Sequence, residues 1–214
     1  MIDHRKARWK NRLISAAPWI SQVSELARLV QAAGAWRRKG WTAPPPYFVR
    51  RAMLRSEALA IGAEVFIETG TFLGDTTWGL MRDFRTIYTL EVEPTLAALA
   101  RERFRKCPSV TLVEGDSSLL LPEICAKVDA PCLFYLDGHY SGGITGMGSK
   151  ECPILEELHA IFTHTTQPFR IVIDDARLFG TDPFYPDLET LGKLLSDHGR
   201  SMQLRIENDA ILIA

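Results

Sequence analysis

Acidic residues stand at the ends of five apolar segments of this chain, where a carboxylate can bind hydroxyl groups, amines or metal ions. Glu68, Glu91 and Asp116 close the first three segments, and Asp137 and the pair Asp174–Asp175 close the next two. The segments are nearly continuous apolar runs, typical of parallel strands buried on both faces. Since the carboxyl ends of parallel strands meet at one edge of the sheet, we expect these acids to lie together there, where ligands bind.

The first of these acids leads into a glycine turn. Residues 65–75 read VFIETGTFLGD, with Gly70 and Gly74 in the turn and a helical segment directly after it. Gly70 can adopt backbone angles that are closed to other residues and lets a ligand approach the main chain. Because a helix start also offers unpaired N–H groups, the stretch has the parts of a nucleotide-cradling strand–turn–helix unit.

Strand-length and helix-length segments alternate from residue 65 onward, which predicts right-handed crossovers between parallel strands. The predicted strands are Val65–Thr69, Ile87–Val92, Val110–Glu114, Cys132–Asp137, Phe169–Ile173, Gln203–Glu207 and Ala210–Ile213. The predicted helices are Tyr47–Ala60, Asp75–Arg82, Pro94–Arg105, Ser118–Lys127, Pro153–Thr163 and Leu188–His198. Only Asn208 and Asp209 separate the last two strands, which is typical of an antiparallel hairpin.

A basic helical extension precedes this region. Apolar residues recur at three- and four-residue steps from Ile20 to Ala33, which predicts an amphipathic helix that stops at Gly34. Residues 36–41 form a predicted connector, closed by the prolines at 44–46. The predicted organisation is therefore an extension over residues 1–46 and an α/β domain over residues 47–214. That domain should be a three-layer, doubly wound, mostly parallel seven-stranded sheet with an antiparallel last strand.

Five parallel strands followed by a closing hairpin resemble the class I S-adenosylmethionine-dependent methyltransferases, whose seventh strand runs antiparallel to the rest. The resemblance covers residues 60–214 and is nearest to the small-molecule and sugar O-methyltransferases of the macrocin O-methyltransferase type. It implies a Rossmann-like methyltransferase fold and S-adenosylmethionine as the cofactor, with one contact from each strand end. The implied cofactor-binding residues are Glu68, Gly70, Thr71, Gly74, Glu91, Asp116, Ser117 and Asp137.

Two of these contacts have a defined chemistry. Glu91 can accept hydrogen bonds from both ribose hydroxyls, and the resemblance places Asp116 at the adenine amino group. The family commonly has a further glycine at the position of Phe72, so this chain departs from the pattern there. The alternative for each acid is a solvated residue at a strand end or a helix N-cap, and Asp116, just before a predicted helix, suits that alternative best.

Asp137 and the pair Asp174–Asp175 end two strands that should be neighbours, about 4.8 Å apart. Clustered carboxylates repel one another unless a proton or a cation lies among them, and Mg²⁺ or Ca²⁺ suits a set of oxygen ligands. The arrangement resembles metal-dependent small-molecule O-methyltransferases, in which a divalent ion holds the acceptor hydroxyls. It implies Asp137, Asp174 and Asp175 as ligands of Mg²⁺. The alternative is that Asp174 or Asp175 caps the next helix or pairs with Arg177.

His139 is the predicted catalytic base, with Asp137 as a second catalytic residue. Imidazole titrates near neutrality and can take the proton of an acceptor hydroxyl during methyl transfer. A structural histidine bonded to the loop is the alternative. The glycines between Ser141 and Lys150 predict either a mobile lid over the substrate or a disordered connection.

The charge distribution divides the chain into a basic arm and an acidic body. Residues 1–55 hold twelve Lys or Arg and two Asp or Glu, which leaves thirteen and twenty-four of the chain's 25 basic and 26 acidic residues for the remainder. The arm can dock on the body, on acidic lipid, on nucleic acid or on an anionic substrate. An Arg-rich organelle transit peptide is a further alternative.

The chain length of 214 residues suits one large domain plus an extension. No apolar run reaches the roughly 20 residues that span a bilayer, and the four cysteines lack zinc-ligand spacing. Reduced thiols in a cytoplasmic protein are therefore the expectation.

These patterns together predict a methyltransferase that uses S-adenosylmethionine to O-methylate a small hydroxylated, sugar-like or secondary-metabolite acceptor, with a metal ion as an optional assistant. One alternative is a nicotinamide-dependent oxidoreductase, but its glycine fingerprint is missing. The other is a non-catalytic cofactor-binding protein whose arm contacts nucleic acid or membrane. The sequence carries no signal for the oligomeric state.

Overall fold

The computed structural model describes residues 30–40, 43–138, 152–198 and 202–214. The helices with defined bounds are α1 (Tyr47–Ile61), α2 (Asp75–Leu80), α3 (Pro94–Phe104), α4 (Ser117–Lys127), α5 (Ile154–His164) and α6 (Leu188–Asp197). The strands are β1 (Val65–Thr69), β2 (Thr86–Glu91), β3 (Val110–Glu114), β4 (Cys132–Leu136), β5 (Phe169–Ile173), β6 (Leu204–Glu207) and β7 (Ala210–Ile213). A 3₁₀ turn, Ala176–Leu178, follows β5.

The seven strands form one sheet in the order β3-β2-β1-β4-β5-β7-β6. Strands β1 to β5 pair in parallel, whereas β7 runs antiparallel to both β5 and β6. The hairpin between β6 and β7 turns at Asn208 and Asp209, both of which have positive φ as a two-residue turn of this kind requires. The predicted sheet, its parallel strands and its antiparallel last strand are confirmed.

Side chains of alternate strand residues pack on opposite faces of the sheet, which gives three layers. On one face, Phe66, Tyr135 and Val172 lie in a core cluster with Met53 and Leu54 of α1. The other face buries a larger cluster that includes residues of α4, α5 and α6, among them Leu121, Leu158, Ile161, Leu191 and Leu195. Helices on both faces explain why the central strands β1 and β4 are buried along their whole length rather than alternating between buried and exposed residues.

Helix α1 is held to the sheet by apolar packing and by ion pairs with strands β5 and β6. Glu57 is buried, and its carboxylate accepts a hydrogen bond of 2.7 Å from Arg170 of β5 and another from Arg205 of β6. The helix begins after Pro46 and ends at Gly62, which has the left-handed conformation common after a helix end. Helix α1 therefore packs on one face of the sheet, and the domain start at residue 47 stays a prediction.

The prediction that Gly34 stops the preceding helix is wrong. The described part of that segment is helical over residues 30–38, so Gly34 and Trp36 lie inside the helix and Gly40 follows it with positive φ. The apolar periodicity ends at Ala33, but a glycine in a helix interior costs only about 1 kcal/mol relative to alanine and does not have to end it. The predicted residues before position 30 lie outside the described part.

Among the described residues, no helix is both long and apolar enough to cross a membrane. Cys107, Cys125, Cys132 and Cys152 are all free thiols.

Candidate functional site

The carboxyl ends of the parallel strands bring the predicted site residues of the described ranges to one edge of the sheet. Strand β1 lies between β2 and β4 in the sheet. After β1 the chain forms β2 and β3 on one side of β1, and it then crosses to the other side to form β4. In open α/β sheets, ligands bind in the crevice outside the strand ends at such a reversal of strand order.

Glu68 lies under this edge rather than on it. Its Oε2 accepts hydrogen bonds from Thr77 Oγ1 of α2 (2.6 Å) and from Thr89 Oγ1 of β2 (2.8 Å). The predicted contact residue Thr71 is also turned inward, with its Oγ1 2.6 Å from that of Thr89. Burial raises the pKa of the Glu68 carboxyl from 4.5 to about 7, although the threonine hydroxyls oppose the shift. Glu68 therefore ties β1, β2 and α2 together beneath the turn.

The two glycines of the turn allow close packing of the backbone and of a neighbouring helix. Gly70 has a φ of +83°, and a Cβ at this position would lie only 2.3 Å from the carbonyl oxygen of Asp137. Gly74 has a φ of +72°, and a Cβ there would lie 2.7 Å from the ring of Phe104 in α3. The structure thus requires both glycines for its own packing, and their contact with a cofactor remains a prediction.

Glu91 fixes the conformation of the turn. Its Oε2 accepts a 2.7 Å hydrogen bond from the N–H of Phe72, and its Oε1 accepts one of 3.0 Å from the N–H of Glu93. Phe72, where the family commonly has glycine, adopts a positive φ of 49°. A carboxylate has about four acceptor positions, so Glu91 retains capacity for hydroxyl donors while holding the turn. Burial raises the pKa of Glu91.

Asp116 is the N-cap of α4. Its Oδ1 accepts hydrogen bonds from the backbone N–H (2.9 Å) and the hydroxyl (2.7 Å) of Ser118. The structure thus shows the capping role that the sequence left open, while the adenine contact stays a prediction. Ser117 is buried, and its hydroxyl donates to Glu157 Oε1 of α5 at 2.6 Å, so it joins two helices.

Asp137 and Asp174 meet through Tyr135 at the ends of β4 and β5. The Tyr135 hydroxyl lies 2.8 Å from Asp174 Oδ2 and 3.2 Å from Asp137 Oδ2. Arg50 of α1 forms an ion pair of 2.8 Å with the same Asp174 oxygen, inside a nearly closed environment where Asp174 is 3% exposed. Burial raises the pKa of both carboxyls, and the mutual repulsion raises that of Asp137 further, whereas Arg50 opposes both shifts.

Asp175 forms an ion pair with Arg177. It has left-handed backbone angles, with φ 58° and ψ 43°, and its Oδ1 forms an ion pair of 2.6 Å with Arg177. Arg177 also pairs with Asp209 in the β6–β7 hairpin. The pairing with Arg177 that the sequence left open is therefore present, and it links the end of β5 to the hairpin.

These carboxylates do not fit the predicted Mg²⁺ site. Asp174 Oδ2 already binds a guanidinium and a hydroxyl, and Asp175 binds another guanidinium. Within the described ranges, no group of three or more His, Cys, Asp or Glu side chains is arranged to hold a metal ion. His139 and the glycine-rich stretch 141–150 lie outside the described residues, so the predicted base and lid stay predictions.

Three residues of this edge were missed by the sequence analysis. Arg50 and Tyr47 lie on α1, far along the chain from the strand ends, so nothing in sequence spacing links them to the acids. Tyr47 has a buried hydroxyl with no hydrogen-bond partner among the described residues, and burial and the nearby Glu68 raise its pKa. Tyr135 carried a usable signal, because a hydroxyl inside a buried strand needs a polar partner.

No protein-family model matches this sequence, and no curated protein matches it. Several solved structures, in contrast, have a similar fold. The chain is similar to an O-methyltransferase of Streptomyces achromogenes involved in tomaymycin synthesis, solved with S-adenosylmethionine, at 21% identity and a TM-score of 0.57, covering 86% of this chain and 87% of that one.

Two further solved structures have similar folds. An O-methyltransferase from Bacillus cereus in complex with S-adenosylhomocysteine shares 14% identity at a TM-score of 0.56, covering 87% of this chain and 89% of that one. A methyltransferase of Podospora anserina, also bound to S-adenosylhomocysteine, shares 16% identity at a TM-score of 0.52, covering 92% and 95%. The chain therefore has the Rossmann-like fold of class I methyltransferases, as the sequence predicted.

Proposed function

We propose that this protein is an S-adenosylmethionine-dependent methyltransferase that methylates a hydroxyl group of a small acceptor. The observation that carries the proposal is the buried Glu91 carboxylate, which holds the turn after β1 from the end of β2. A carboxylate at this place in a doubly wound sheet is suited to the two ribose hydroxyls of a nucleoside cofactor. The similar solved methyltransferases, two of them O-methyltransferases, support the same assignment.

The cofactor would lie at the ends of the first three strands. Gly70, Gly74 and Glu91 border that part of the edge, and Asp116 marks its far side at the start of α4. In this arrangement the adenine lies toward Asp116 and the sulfonium toward β4. The protein's main contribution is then alignment of the acceptor oxygen, the methyl carbon and the sulfur, since the cofactor supplies an already activated methyl group.

The acceptor would lie at the ends of β4 and β5. Asp174 Oδ1 supports this placement, because it is buried and has no hydrogen-bond partner among the described residues. Leaving a buried carboxylate oxygen unpaired is costly, whereas a hydroxyl donor from a bound acceptor would satisfy it. His139, two residues beyond Asp137, is the proposed base, with Asp137 as the second candidate. A sugar-like or secondary-metabolite acceptor offers hydroxyls of this kind.

Calorimetric titration with S-adenosylmethionine, S-adenosylhomocysteine and NAD tests the proposal. We expect saturable binding of the first two ligands and none of NAD, which shares the adenosine but not the amino-acid part. Binding of NAD alone would instead favour the oxidoreductase. If both S-adenosyl ligands bind but no methyl group reaches any of a set of sugars and phenols, the non-catalytic alternative is favoured.

A further inference from the structure

The acid pair at the ends of β4 and β5 contains its own cation. Arg50 Nη2 lies 2.8 Å from Asp174 Oδ2, and its side chain is only 17% exposed. Because both side chains are largely buried, this ion pair is screened by solvent and salt much less than an exposed surface pair. Arg50 is therefore a fixed part of the site rather than a loosely placed surface residue.

Tyr135 completes the arrangement. Its hydroxyl is buried and bridges the two carboxylates at 2.8 Å and 3.2 Å, so Asp174 Oδ2 is held by a guanidinium and a hydroxyl together. The helix that supplies Arg50 is itself anchored by Glu57 to Arg170 and Arg205. The position of the cation is thus determined by packing of the domain and not by ligand binding.

A divalent ion between these carboxylates would be repelled by the Arg50 guanidinium, which already binds an oxygen that the ion would need as a ligand. Mg²⁺ requires free carboxylate oxygens at about 2.1 Å in octahedral geometry. Here Arg50 binds one oxygen of Asp174, and Arg177 binds one oxygen of Asp175. The guanidinium does for the acid pair what the predicted metal would have done, since it offsets the repulsion between the carboxylates.

We propose that Arg50 takes the place of a divalent cation at this site, so that the Asp137–Asp174 pair works without metal. The proposal builds on the proposed function only in assigning this edge to the acceptor. Arg50 acts through Asp174 and is a positioning residue. Without the positive charge of Arg50, the carboxylates of Asp137 and Asp174 and the hydroxyl of Tyr135 should form a set of oxygen ligands for Mg²⁺ or Mn²⁺, with water as the remaining ligands.

Titration of the full-length protein with Mn²⁺, followed by the loss of its electron paramagnetic resonance signal, tests the proposal. We expect no saturable binding to the unmodified protein below about 1 mM, the weak end of the range for carboxylate sites. Arg50→Met should create one site that binds at least about tenfold more tightly, because it removes a positive charge a few ångströms away. Arg50→Lys keeps the positive charge and should therefore bind Mn²⁺ no more tightly than the unmodified protein does.

Arg55→Met is the matched control, since Arg55 lies on the same helix but pairs with Asp83 at the surface. It should leave Mn²⁺ binding unchanged. If Arg50→Met does not fold, as judged by thermal melting, Arg50→Gln keeps a donor to Asp174 without the charge and should show the same gain. Submillimolar Mn²⁺ binding by the unmodified protein that is lost in Asp174→Asn would overturn the proposal. So would a folded Arg50→Met or Arg50→Gln variant that gains no binding. None of these outcomes depends on binding of S-adenosylmethionine, so the proposed function is tested separately.

Discussion

Glu91 combines a structural and a proposed ligand-binding role in one side chain. It holds the N–H groups of Phe72 and Glu93 while lying at the end of β2, beside the turn that would receive the cofactor. Binding a nucleoside through a residue that also shapes the surrounding turn means that the site is formed before the ligand arrives. Such preorganisation reduces the entropy lost on binding.

Glu91→Ala should weaken S-adenosylhomocysteine binding by about 1–3 kcal/mol, the usual loss for hydrogen bonds to a charged acceptor. The measurement is calorimetric titration of both proteins. Glu114→Ala is the control, because Glu114 is the residue of β3 that lies opposite Glu91 in the sheet but is exposed and pairs with Arg101. Equal affinity in the Glu91→Ala and unmodified proteins would show that the cofactor does not bind at this strand end.

Glu68 should make the domain less stable as the pH rises. Its pKa is 4.5 when exposed and about 7 in the folded protein, because burial disfavours the charged form. The folded state therefore holds the proton more tightly, and the stability present below pH 4.5 is lost as the pH rises toward 7. The whole effect is about 3 kcal/mol, since a tenfold change in proton affinity corresponds to about 1.4 kcal/mol.

Glu68→Gln removes this titration but keeps an oxygen for Thr77 and Thr89. From about pH 5 to about pH 8, its free energy of unfolding relative to the unmodified protein should rise by about 2 kcal/mol. Urea unfolding at the two pH values measures the difference. Carboxyls distant from Glu68 titrate equally in both proteins and cancel, whereas Glu91 and Asp137, which lie close enough to repel Glu68, add a smaller difference. A relative stability that is the same at both pH values would show that Glu68 is charged throughout this range.

At the scale of elements, β1 and β4 approach each other so closely at their ends that only glycine fits at position 70. A Cβ would overlap the Asp137 carbonyl oxygen at 2.3 Å, and the φ of +83° is unfavourable for other residues. The same contact connects the proposed cofactor half of the edge, at β1 to β3, to the proposed acceptor half at β4 and β5. A change at Gly70 should therefore disturb both halves.

Gly70→Ala should destabilise the domain by at least about 3 kcal/mol, since it combines backbone strain with a steric overlap that has to move a strand end. Gly192→Ala is the matched control, because Gly192 lies inside α6 and a Cβ added there would have no neighbouring atom within 4 Å. It should raise stability by up to about 1 kcal/mol through better helix propensity. Thermal and urea unfolding of both variants give the comparison. A Gly70→Ala protein as stable as the unmodified one would mean that the two strand ends are farther apart than described.

At the scale of the whole molecule, α1 takes part in the packing around the sheet, which supports the predicted domain start at residue 47. Met53 and Leu54 are buried against the sheet, Glu57 joins α1 to β5 and β6, and Arg50 reaches Asp174. The residues before the prolines at 44–46 are separate in composition, with Arg37, Arg38 and Lys39 as their last basic cluster. We propose that this basic segment serves acceptor recognition or contact with an anionic partner such as nucleic acid or a membrane.

A protein that begins at Ala43 should fold and bind S-adenosylhomocysteine as the full chain does, whereas one that begins at Glu64 and lacks α1 should not fold. Circular dichroism and calorimetry distinguish these results. The truncation at Ala43 should change the interaction with acidic lipid vesicles or nucleic acid in a salt-dependent manner, because residues 1–42 hold nine Lys or Arg and only two Asp or Glu, whereas the whole chain has a net charge of −1. Failure of the protein beginning at Ala43 to fold would show that the extension is part of the core.

Local residue patterns were enough to predict the order and type of the elements in the described α/β region. Continuous apolar runs such as Cys132–Leu136 need cover on both faces, and the two-residue connection at Asn208 and Asp209 allows only a hairpin. Both features depend only on residues that lie close together in the chain. For that reason the sequence predicted the bounds of each strand to within one residue. The acids at the strand ends could be found in the same way, because a parallel sheet brings all these ends to one edge.

The role of each acid, in contrast, was set by tertiary packing. Glu68 is buried and accepts hydrogen bonds from two threonines, Asp116 caps a helix, and Asp175 pairs with Arg177. The decisive partner of Asp174, Arg50, is more than a hundred residues away along the chain and is delivered by the packing of α1. Charge pairing depends on distances across the fold, and sequence spacing carries no information about a distance that long-range packing creates.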